Sequence, residues 1–583
     1  MIKNILENSI KTALWSLKIP TFKSGQVDEK NPPKGRAGVS KINLEHPEEL
    51  SHGDYSCNIA MVLAKQVAQN PRELAEKIVA EINERKPKEI SKVEVAGPGF
   101  INFYLSPEFF VSESKEILSK KEKFGKGEIG KGKKVIVEYS SPNIAKPFTI
   151  GHLRSTVIGD AIANILDFSG YKVIRDNHLG DWGTQFGKLI VAIKKWSSVT
   201  EIQKSKTPIK DLVALYVKFH DEAEKDITLE DEARAWFTKL EHNNKEAKEI
   251  WNICVKLSMK EFEKIYKRLG VKFDTAYGES FFEDKMKEVI DEVKKLGIAR
   301  ESEGAYLVFF DKDKYPPMML LKKDGSTIYA LRDLATDKFR KKKYGKDVTI
   351  INEVGMEQSL HFQQVFETEK LLGYSNGNDR IHVKHGFYRF PEGKMSTRKG
   401  NGIWLDEVLD EAIEKAAAFD KNTAEVVGVS AIKFNDLKRE SSGDIIFNWD
   451  EVLNLKGDSG PYLQYSYARA KSILRKAKEE GIKAKINPGQ MKSQFDGASI
   501  TILEKLLYRF PEVVERAGEE YSPHYIATYL IELASSFNNF YGQGKIVDKM
   551  DINSPYKVAL TEAFSIVLKN GLNLLGIQAP EKM

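Results

Sequence analysis

The sequence has few cysteines and no long apolar run, and both absences narrow the classes of protein to which it can belong. Its 583 residues include two cysteines, Cys57 and Cys254. They allow at most one disulfide and cannot complete a four-cysteine zinc site. No apolar run reaches the roughly 18 residues of a membrane span. We therefore expect a protein of the reducing cytoplasm that lacks structural zinc and does not enter a membrane.

An excess of charge of one sign is also small when it is averaged over the chain. Ninety lysines and arginines face 84 aspartates and glutamates, a net charge of +6. Such a surplus is weak evidence for a polyanionic partner unless it is concentrated in one place. At roughly 150 residues per domain the length predicts three or four domains, which excludes a small binding module.

Changes in hydrophobic periodicity divide the chain into three parts. Residues 1–112 combine helical spacing with two strands around a Gly-Pro-Gly turn, which predicts an α+β domain. Residues 113–134 are rich in glycine and lysine and are predicted to be a linker. Residues 135–454 alternate strands and helices, as in a parallel α/β sheet, with a helical insertion at about 188–297. Residues 455–583 are predicted to form an all-helical bundle.

The first candidate site is the turn between the predicted strand 135–139 and the helix that begins close to Gly151. A helix N-terminus offers free N–H groups and a partial positive charge, and a glycine there lets a nucleotide approach the backbone. His152 can donate a hydrogen bond to phosphate oxygens as charge builds during group transfer. Taken alone, the same pair also fits an ordinary sheet-to-helix turn with a surface histidine.

The second candidate site is the basic run GKMSTRKG at residues 393–400, which follows the predicted strand 381–388. Three cations and two hydroxyls between glycines suit a loop that closes over a triphosphate and stabilises leaving pyrophosphate. Taken alone, the run also fits a solvated basic turn. A Gly-His helix start followed by a Lys-Met-Ser loop on the same sheet resembles the class I aminoacyl-tRNA synthetases, in which both elements grip ATP.

Within that class the chain resembles the arginyl-tRNA synthetases from its first domain to its last. The supporting segments are HPEEL at 46–50, GDYS at 53–56, GPGFINF at 97–103, SSPNIAK at 140–146, NHLGDWGTQF at 177–186, YALRDLA at 329–335, LHFQQVF at 360–366 and NGLNLLG at 570–576. The resemblance implies a multidomain α/β protein with a Rossmann-type catalytic domain and its helical insertion. It also implies an N-terminal α+β domain that contacts the outer corner of tRNA, and a C-terminal all-α anticodon-binding bundle.

The resemblance also implies which residues bind the substrates. The arginine-binding residues would be Glu138, Ser141, Asn143, His152, Tyr329, Asp333 and Gln358. The ATP-binding residues would be Thr149, Gly151, His152, Lys394, Met395 and Ser396, and the catalytic ones His152, Lys394, Lys146 and Arg398. A planar guanidinium calls for carboxylates that meet two N–H donors at once. Tyr329 and Asp333, four residues apart, would share one helix face. Without the resemblance, Asp333 also fits a solvated helix charge or a partner of Arg332.

Two positions depart from the pattern of the family. Thr149 stands where the first signature usually begins with histidine, and Thr397 stands where a lysine is common. Because a hydroxyl can donate a hydrogen bond but carries no charge, we expect ATP to be held differently, with Lys146, Lys394 and Arg398 sharing the cationic role. These departures favour one alternative, a catalytically impaired RNA-binding paralogue that acts as a regulator or scaffold.

The charge surplus is concentrated at the start of the predicted bundle. Residues 465–492 carry eight lysines and arginines and two glutamates. The net charge of this stretch is +6, the same as that of the whole chain. Aromatic rings interleaved with arginine suit unstacked RNA bases, while lysines hold phosphates. The tyrosines also fit a helical core. The resemblance implies that Tyr462, Tyr465, Arg469 and the terminal Met583 contact tRNA.

The resemblance therefore predicts a cytoplasmic enzyme that activates arginine with ATP, releases pyrophosphate and passes the arginyl group to the 3′ end of tRNA-Arg. It further implies that activation requires bound tRNA. Mg²⁺ is implied by the triphosphate and not by a ligand motif. We expect no protein metal site, and a monomer.

Overall fold

The computed structural model describes residues 2–19, 42–311, 314–323, 325–390, 403–486 and 500–583. The chain forms two compact units. The first comprises Met1–Phe124, Ile473–Arg509 and Ser536–Val567, and the second comprises Gly125–Ser472, Phe510–Ser535 and Leu568–Met583. Cys57 and Cys254 are buried and free.

The N-terminal part of the first unit is the predicted α+β arrangement. Its elements are α1 (Ile2–Ser16), β1 (Leu44–Glu45), β2 (Tyr55–Cys57), α2 (Ile59–Ala64), α3 (Pro71–Glu84), β3 (Ile90–Ala96), β4 (Phe100–Leu105) and α4 (Pro107–Lys120). The strands form an antiparallel sheet in the order β1-β2-β4-β3. Leu6, Ile10 and Leu14, at helical spacing on α1, are buried in the same core as Phe103 on β4. The α4 helix extends to Lys120, within the predicted linker 113–134, and its Ile117 is buried. The boundary between the first domain and the linker stays a prediction.

The second unit is built on four parallel strands. They are β5 (Lys134–Glu138), β6 (Lys172–Asp176), β10 (Thr349–Gly355) and β11 (Arg380–His385), in the order β11-β10-β5-β6. Val135, Ile136 and Val137 are all buried, as expected for a strand covered on both faces. The chain passes from β5 to β6 on one side, and β10 lies on the other. The carboxyl ends of β5 and β10 therefore form the switch point at which such sheets bind ligands.

Helices connect these strands along the chain, and the first of them packs on β5, β6 and β10 and closely on the residue that follows β5. They are α5 (Ile150–Phe168), the insertion helices α6 (Gln185–Trp196), α7 (Val199–Lys204), α8 (Pro208–Ala223), α9 (Thr228–Glu241) and α10 (Lys245–Leu269), then α11 (Met286–Lys295), α12 (Tyr329–Tyr344) and α13 (Ser359–Leu371). A Cβ at Gly159 of α5 would come within 2.2 Å of the Tyr139 side chain. Glycine at this position thus allows the close approach.

A three-stranded antiparallel sheet follows the insertion and was not predicted. Its strands are β7 (Ala299–Ser302), β8 (Ala305–Val308) and β9 (Met318–Leu321). With α11 and α12 it encloses a separate core that contains Val308, Leu320 and Leu334.

The described elements after residue 455 are helices, as predicted. After a short parallel pair of β12 (Tyr388–Arg389) and β13 (Ile445–Ile446), the described helices are α14 (Leu405–Ala416), α15 (Ala424–Leu437), α16 (Trp449–Val452), α17 (Gly460–Glu479), α18 (Ile502–Leu507), α19 (Phe510–Glu519), α20 (His524–Gly542) and α21 (Ser554–Leu574). None of the helices in the described ranges is long and apolar enough to span a membrane.

Candidate active site

The loop between β5 and α5 is held in an unusual backbone conformation at the switch point. Ser140, Ser141 and Ala145 have φ values of +71°, +43° and +58°, a region that non-glycine residues seldom adopt and that is often found at functional sites. The Ser140 N–H donates to Ser155 Oγ of α5 at 2.9 Å, and the Ala145 N–H donates to Ser258 Oγ of α10 at 2.9 Å. Neighbouring helices thus fix the loop.

Several buried polar atoms at this edge of the sheet lack a hydrogen-bond partner within the described part of the chain. They are Ser141 Oγ on the loop, His178 Nδ1 after β6, and Asn352 Oδ1 and Glu353 Oε2 on β10. The other oxygen of Glu353 accepts a bond from His385 Nδ1 at 2.8 Å. Because buried polar atoms are nearly always hydrogen-bonded, these atoms favour the carboxyl edge of the sheet as the place where a polar ligand binds.

His152 is fixed by Thr149 at the start of α5. The Thr149 backbone N–H donates to His152 Nδ1 at 3.0 Å, and Thr149 Oγ1 lies 3.1 Å from the same atom. Burial lowers the pKa of His152 to about 4, and the charge of Lys146 adds to this effect. The ring is therefore neutral at neutral pH. With Nδ1 as acceptor its proton is on Nε2, which can donate to a phosphate.

The start of α5 is hydrogen-bonded to the chain that leads into α14. The Ile150 N–H donates to Ile403 O at 3.0 Å, and the Leu405 N–H donates to Phe148 O at 2.9 Å. Lys394, Met395, Ser396, Thr397 and Arg398 lie outside the described residues. The described chain resumes at Ile403, which is hydrogen-bonded to the start of α5. Lys146 is exposed on the loop before that helix.

Glu138, predicted to bind the substrate, contacts a guanidinium of the protein itself. Its Oε2 lies 2.5 Å from Arg340 Nη2 of α12, and the same nitrogen contacts Asp176 at the end of β6. Arg340 Nη1 donates to Asp337 at 3.0 Å. Burial would lower the pKa of Arg340, but the three carboxylates outweigh it and raise the pKa. Glu138 is thus shared with Arg340, a residue that the sequence reasoning missed.

Tyr329 and Asp333 lie on successive turns of α12, as predicted. Tyr329 is 71% exposed, whereas the Asp333 side chain is 29% exposed. Asp333 Oδ2 lies 2.6 Å from His361 Nε2 on α13. Neighbouring Arg332 contacts Glu283 instead, at 2.8 Å. Asp333 is therefore neither a solvated charge nor the partner of Arg332.

The other predicted arginine-binding residues surround the same edge of the sheet. Asn143 forms a parallel bridge with Gly180, and a Cβ at Gly180 would come within 2.2 Å of Asn143 Oδ1. The Ser141 N–H donates to Asn177 Oδ1 at 3.1 Å. Gln358 is exposed in the short turn after β10. Among the described residues, no group of three or more His, Cys, Asp or Glu side chains is arranged to hold a metal ion.

The predicted RNA-binding residues of α17 form an accessible aromatic and cationic face. Tyr465 is 40% exposed, and the Arg469 guanidinium lies over its ring at 4.8 Å from the centroid. Tyr462 and Arg469 are half-buried, while Tyr467 on another side of the helix is buried. Met583 packs partly buried against Ala416, Ala424 and Val427 of α14 and α15.

Three models of known protein families match this chain. The family model described as tRNA synthetases class I (R), catalytic domain, matches residues 113–449. The DALR anticodon binding domain matches residues 463–583, and the arginyl tRNA synthetase N terminal domain matches residues 2–105. A parallel sheet with a Gly-His helix start at its switch point, together with these matches, defines a class I aminoacyl-tRNA synthetase.

Similar proteins narrow the class further. The arginine--tRNA ligase of Clostridium acetobutylicum is 43% identical over 554 residues, covering 93% of this chain and 96% of that protein. That of Halothermothrix orenii is 41% identical over 578 residues, covering 96% and 100%. The chain therefore belongs to the arginyl-tRNA synthetase family.

Solved structures agree with this assignment. The arginyl-tRNA synthetase of Plasmodium falciparum superposes with a TM-score of 0.79 at 25% identity, covering 100% of this chain and 99% of that one. The enzyme of Thermus thermophilus has the same fold, with a TM-score of 0.78 at 24% identity and complete coverage of both chains. None of these findings supports the alternative of an RNA-binding paralogue without catalysis.

Proposed function

We propose that this chain activates L-arginine with ATP to arginyl-adenylate, releases pyrophosphate, and transfers arginine to the 3′ end of tRNA-Arg. The observation that supports the proposal is the arrangement of described residues at the switch point of the sheet. The Ile150 N–H at the start of α5 donates to the carbonyl oxygen of Ile403, which lies three residues beyond the basic run 393–400. Unpartnered buried polar atoms lie at the same edge of the sheet, in the part of the chain that the structure describes.

The ATP phosphates would lie at the N-terminus of α5, where free N–H groups and the helix dipole favour anions. Gly151 leaves the backbone accessible, and neutral His152 would donate from Nε2 to a phosphate oxygen. Lys146, Lys394 and Arg398 would supply the positive charge that stabilises the leaving pyrophosphate. Mg²⁺ would be held by the phosphates of ATP.

Arginine would be selected through Asp333 and Tyr329, whose positions on α12 allow the carboxylate and the ring to meet one guanidinium. Ser141, Asn143 and Gln358 would bind the polar groups at the other end of the amino acid, and Glu138 would contribute one carboxylate oxygen beside Arg340. A site built to satisfy a carboxylate with a guanidinium rejects neutral analogues strongly, because the carboxylate then stays unpaired. Such a site needs no editing domain.

For the nucleic acid partner we propose that tRNA-Arg contacts Tyr462, Tyr465, Arg469 and Met583 through its anticodon loop. The exposed ring of Tyr465 beneath Arg469 suits an unstacked base. The chain would act as a monomer in the cytoplasm, a compartment in which its two buried thiols stay reduced.

The reaction is tested by ATP–pyrophosphate exchange with each of several amino acids, in the presence and absence of tRNA. We expect exchange with arginine, dependent on tRNA-Arg, followed by formation of arginyl-tRNA. Exchange driven best by lysine or glutamine would contradict the arginine assignment. Complete lack of exchange and aminoacylation with tRNA bound would favour the regulatory paralogue.

Replacing Arg469 by alanine is expected to raise the KM for tRNA about tenfold, since one base-stacking contact contributes roughly 1–3 kcal/mol. The KM values for arginine and ATP should not change. Arg516→Ala is the matched control, because Arg516 of α19 also lies over a tyrosine ring, that of Tyr525, at 3.9 Å. Aminoacylation kinetics measure both variants, and equal tRNA KM values would place α17 outside the RNA interface.

A further inference from the structure

Asp333 contacts a histidine on the neighbouring helix. His361 Nε2 of α13 lies 2.6 Å from Asp333 Oδ2 of α12, and both side chains are less than a third exposed. A histidine N–H that donates to one oxygen of a carboxylate restrains the rotation of that carboxylate, and the second oxygen can still accept from another donor. Asp333 is therefore presented in one orientation before any substrate arrives.

We propose that His361 is a positioning residue of the arginine pocket, which orients Asp333 and sets the pH range in which that carboxylate accepts a guanidinium. This inference rests on the proposed function, because it takes Asp333 as the partner of the substrate side chain. His361 is not among the arginine-binding residues predicted from the sequence.

The charged and titratable groups considered around His361 lie on α12 and β11. On α12 the contacting group is Asp333, while Arg332 is engaged by Glu279 at 3.6 Å and by Glu283 at 2.8 Å. On β11 the ring of His382 packs on Phe362, the ring that also contacts His361, and its Nε2 lies 3.1 Å from Val354 O.

These surroundings leave Asp333 as the charge that acts on His361. Burial would lower the pKa of His361, but the hydrogen bond and the charge of Asp333 outweigh it and raise the pKa above its usual value. Burial lowers the pKa of His382, which keeps that ring neutral. Protonation near neutral pH is thus expected at His361 and not at His382.

The two protonation states of His361 have opposite effects on the pocket. A neutral ring donates from Nε2 and leaves the full negative charge of Asp333 for the substrate. A protonated ring neutralises that charge and places a second cation beside the incoming guanidinium. Arginine binding and protonation of His361 therefore oppose each other, and by linkage bound arginine lowers the proton affinity of the ring.

The test measures the KM values for arginine and ATP by tRNA-supported ATP–pyrophosphate exchange between about pH 5.5 and pH 8.5. In the unmodified chain, the KM for arginine should rise about tenfold for each pH unit below the pKa of His361, as for competition by one proton, while the KM for ATP stays flat. His361→Gln keeps an N–H donor without a titratable charge. This variant should retain the high-pH arginine KM at every pH.

His361→Phe removes the donor as well, and its arginine KM should be raised and independent of pH. His242→Gln, an exposed histidine at the end of α9, is the matched control and should titrate like the unmodified chain. If His361→Gln shows the same pH profile as the unmodified chain, or raises both KM values equally, the inference is overturned while arginine activation stands. Failure of the unmodified chain to activate arginine would instead remove the proposed function.

Discussion

Replacing Arg340 by methionine is expected to lower the free energy of unfolding by about 3–5 kcal/mol, because breaking a buried ion pair leaves uncompensated charge. The guanidinium contacts Glu138, Asp176 and Asp337, and all three carboxylates are at least nine-tenths buried. Methionine fills much of the volume but satisfies none of their oxygens. The same change should abolish arginine activation, since Glu138 ends the strand at the candidate active site.

The measurement is the midpoint of urea unfolding at about pH 7 and about pH 5. Uncompensated carboxylates take up protons as the pH falls, so the loss in the Arg340→Met variant should be smaller at the lower pH. Arg340→Lys should fall between, because an ammonium is a point charge that cannot meet three carboxylates with a planar fork. Arg234→Met, which breaks an exposed pair with Asp231 on α9, is the control. A urea midpoint equal to that of the control would contradict this prediction, because Arg340 would then not stabilise the packing of β5, β6 and α12.

This cluster illustrates what the sequence could not reveal. Arg340 lies in the run KFRKKKY at 338–344, in which the density of lysine is typical of a solvated helix face. Its partners Glu138 and Asp176 are more than 160 positions away in the chain, and the sheet order that brings them together is not encoded by local periodicity. His361 was not predicted as a site residue for a similar reason. Its segment supported the resemblance to the family, but its contact with Asp333 joins two different helices, α12 and α13.

The predicted features are those that depend on local pattern. The apolar run at 135–139 indicated a short strand of a parallel sheet, and the glycine and histidine after it indicated a helix start. The β7–β8 hairpin was missed because its strands have four residues each and carry charged residues such as Arg300 and Glu301. Its two-residue turn, Glu303-Gly304, has φ values of +51° and +83°. A turn with two positive φ values usually begins with Asn or Asp, and glutamate gives little signal for it.

Asp333→Asn is expected to cause a large loss of arginine activation that is selective for the amino acid. An amide retains the size of the side chain but offers one acceptor oxygen and no charge to the substrate guanidinium. Truncating one partner of a hydrogen-bonded charge pair costs about 2–5 kcal/mol, which corresponds to a loss of roughly 30-fold to several thousandfold in kcat/KM for arginine. The loss should come mainly from a higher arginine KM, with the KM for ATP unchanged, because the start of α5 is not altered.

Steady-state ATP–pyrophosphate exchange with tRNA measures both KM values, and Asp231→Asn, an exposed helix carboxylate on α9, serves as the control. The neutral arginine analogue citrulline sharpens the test. Its urea group matches an amide better than a carboxylate, so the preference for arginine over citrulline should fall in Asp333→Asn far more than in the control. Equal increases in the arginine and ATP KM values, with the preference retained, would move Asp333 out of the pocket. The variant should also lose the pH dependence of the arginine KM, because the charge through which His361 acts is then gone.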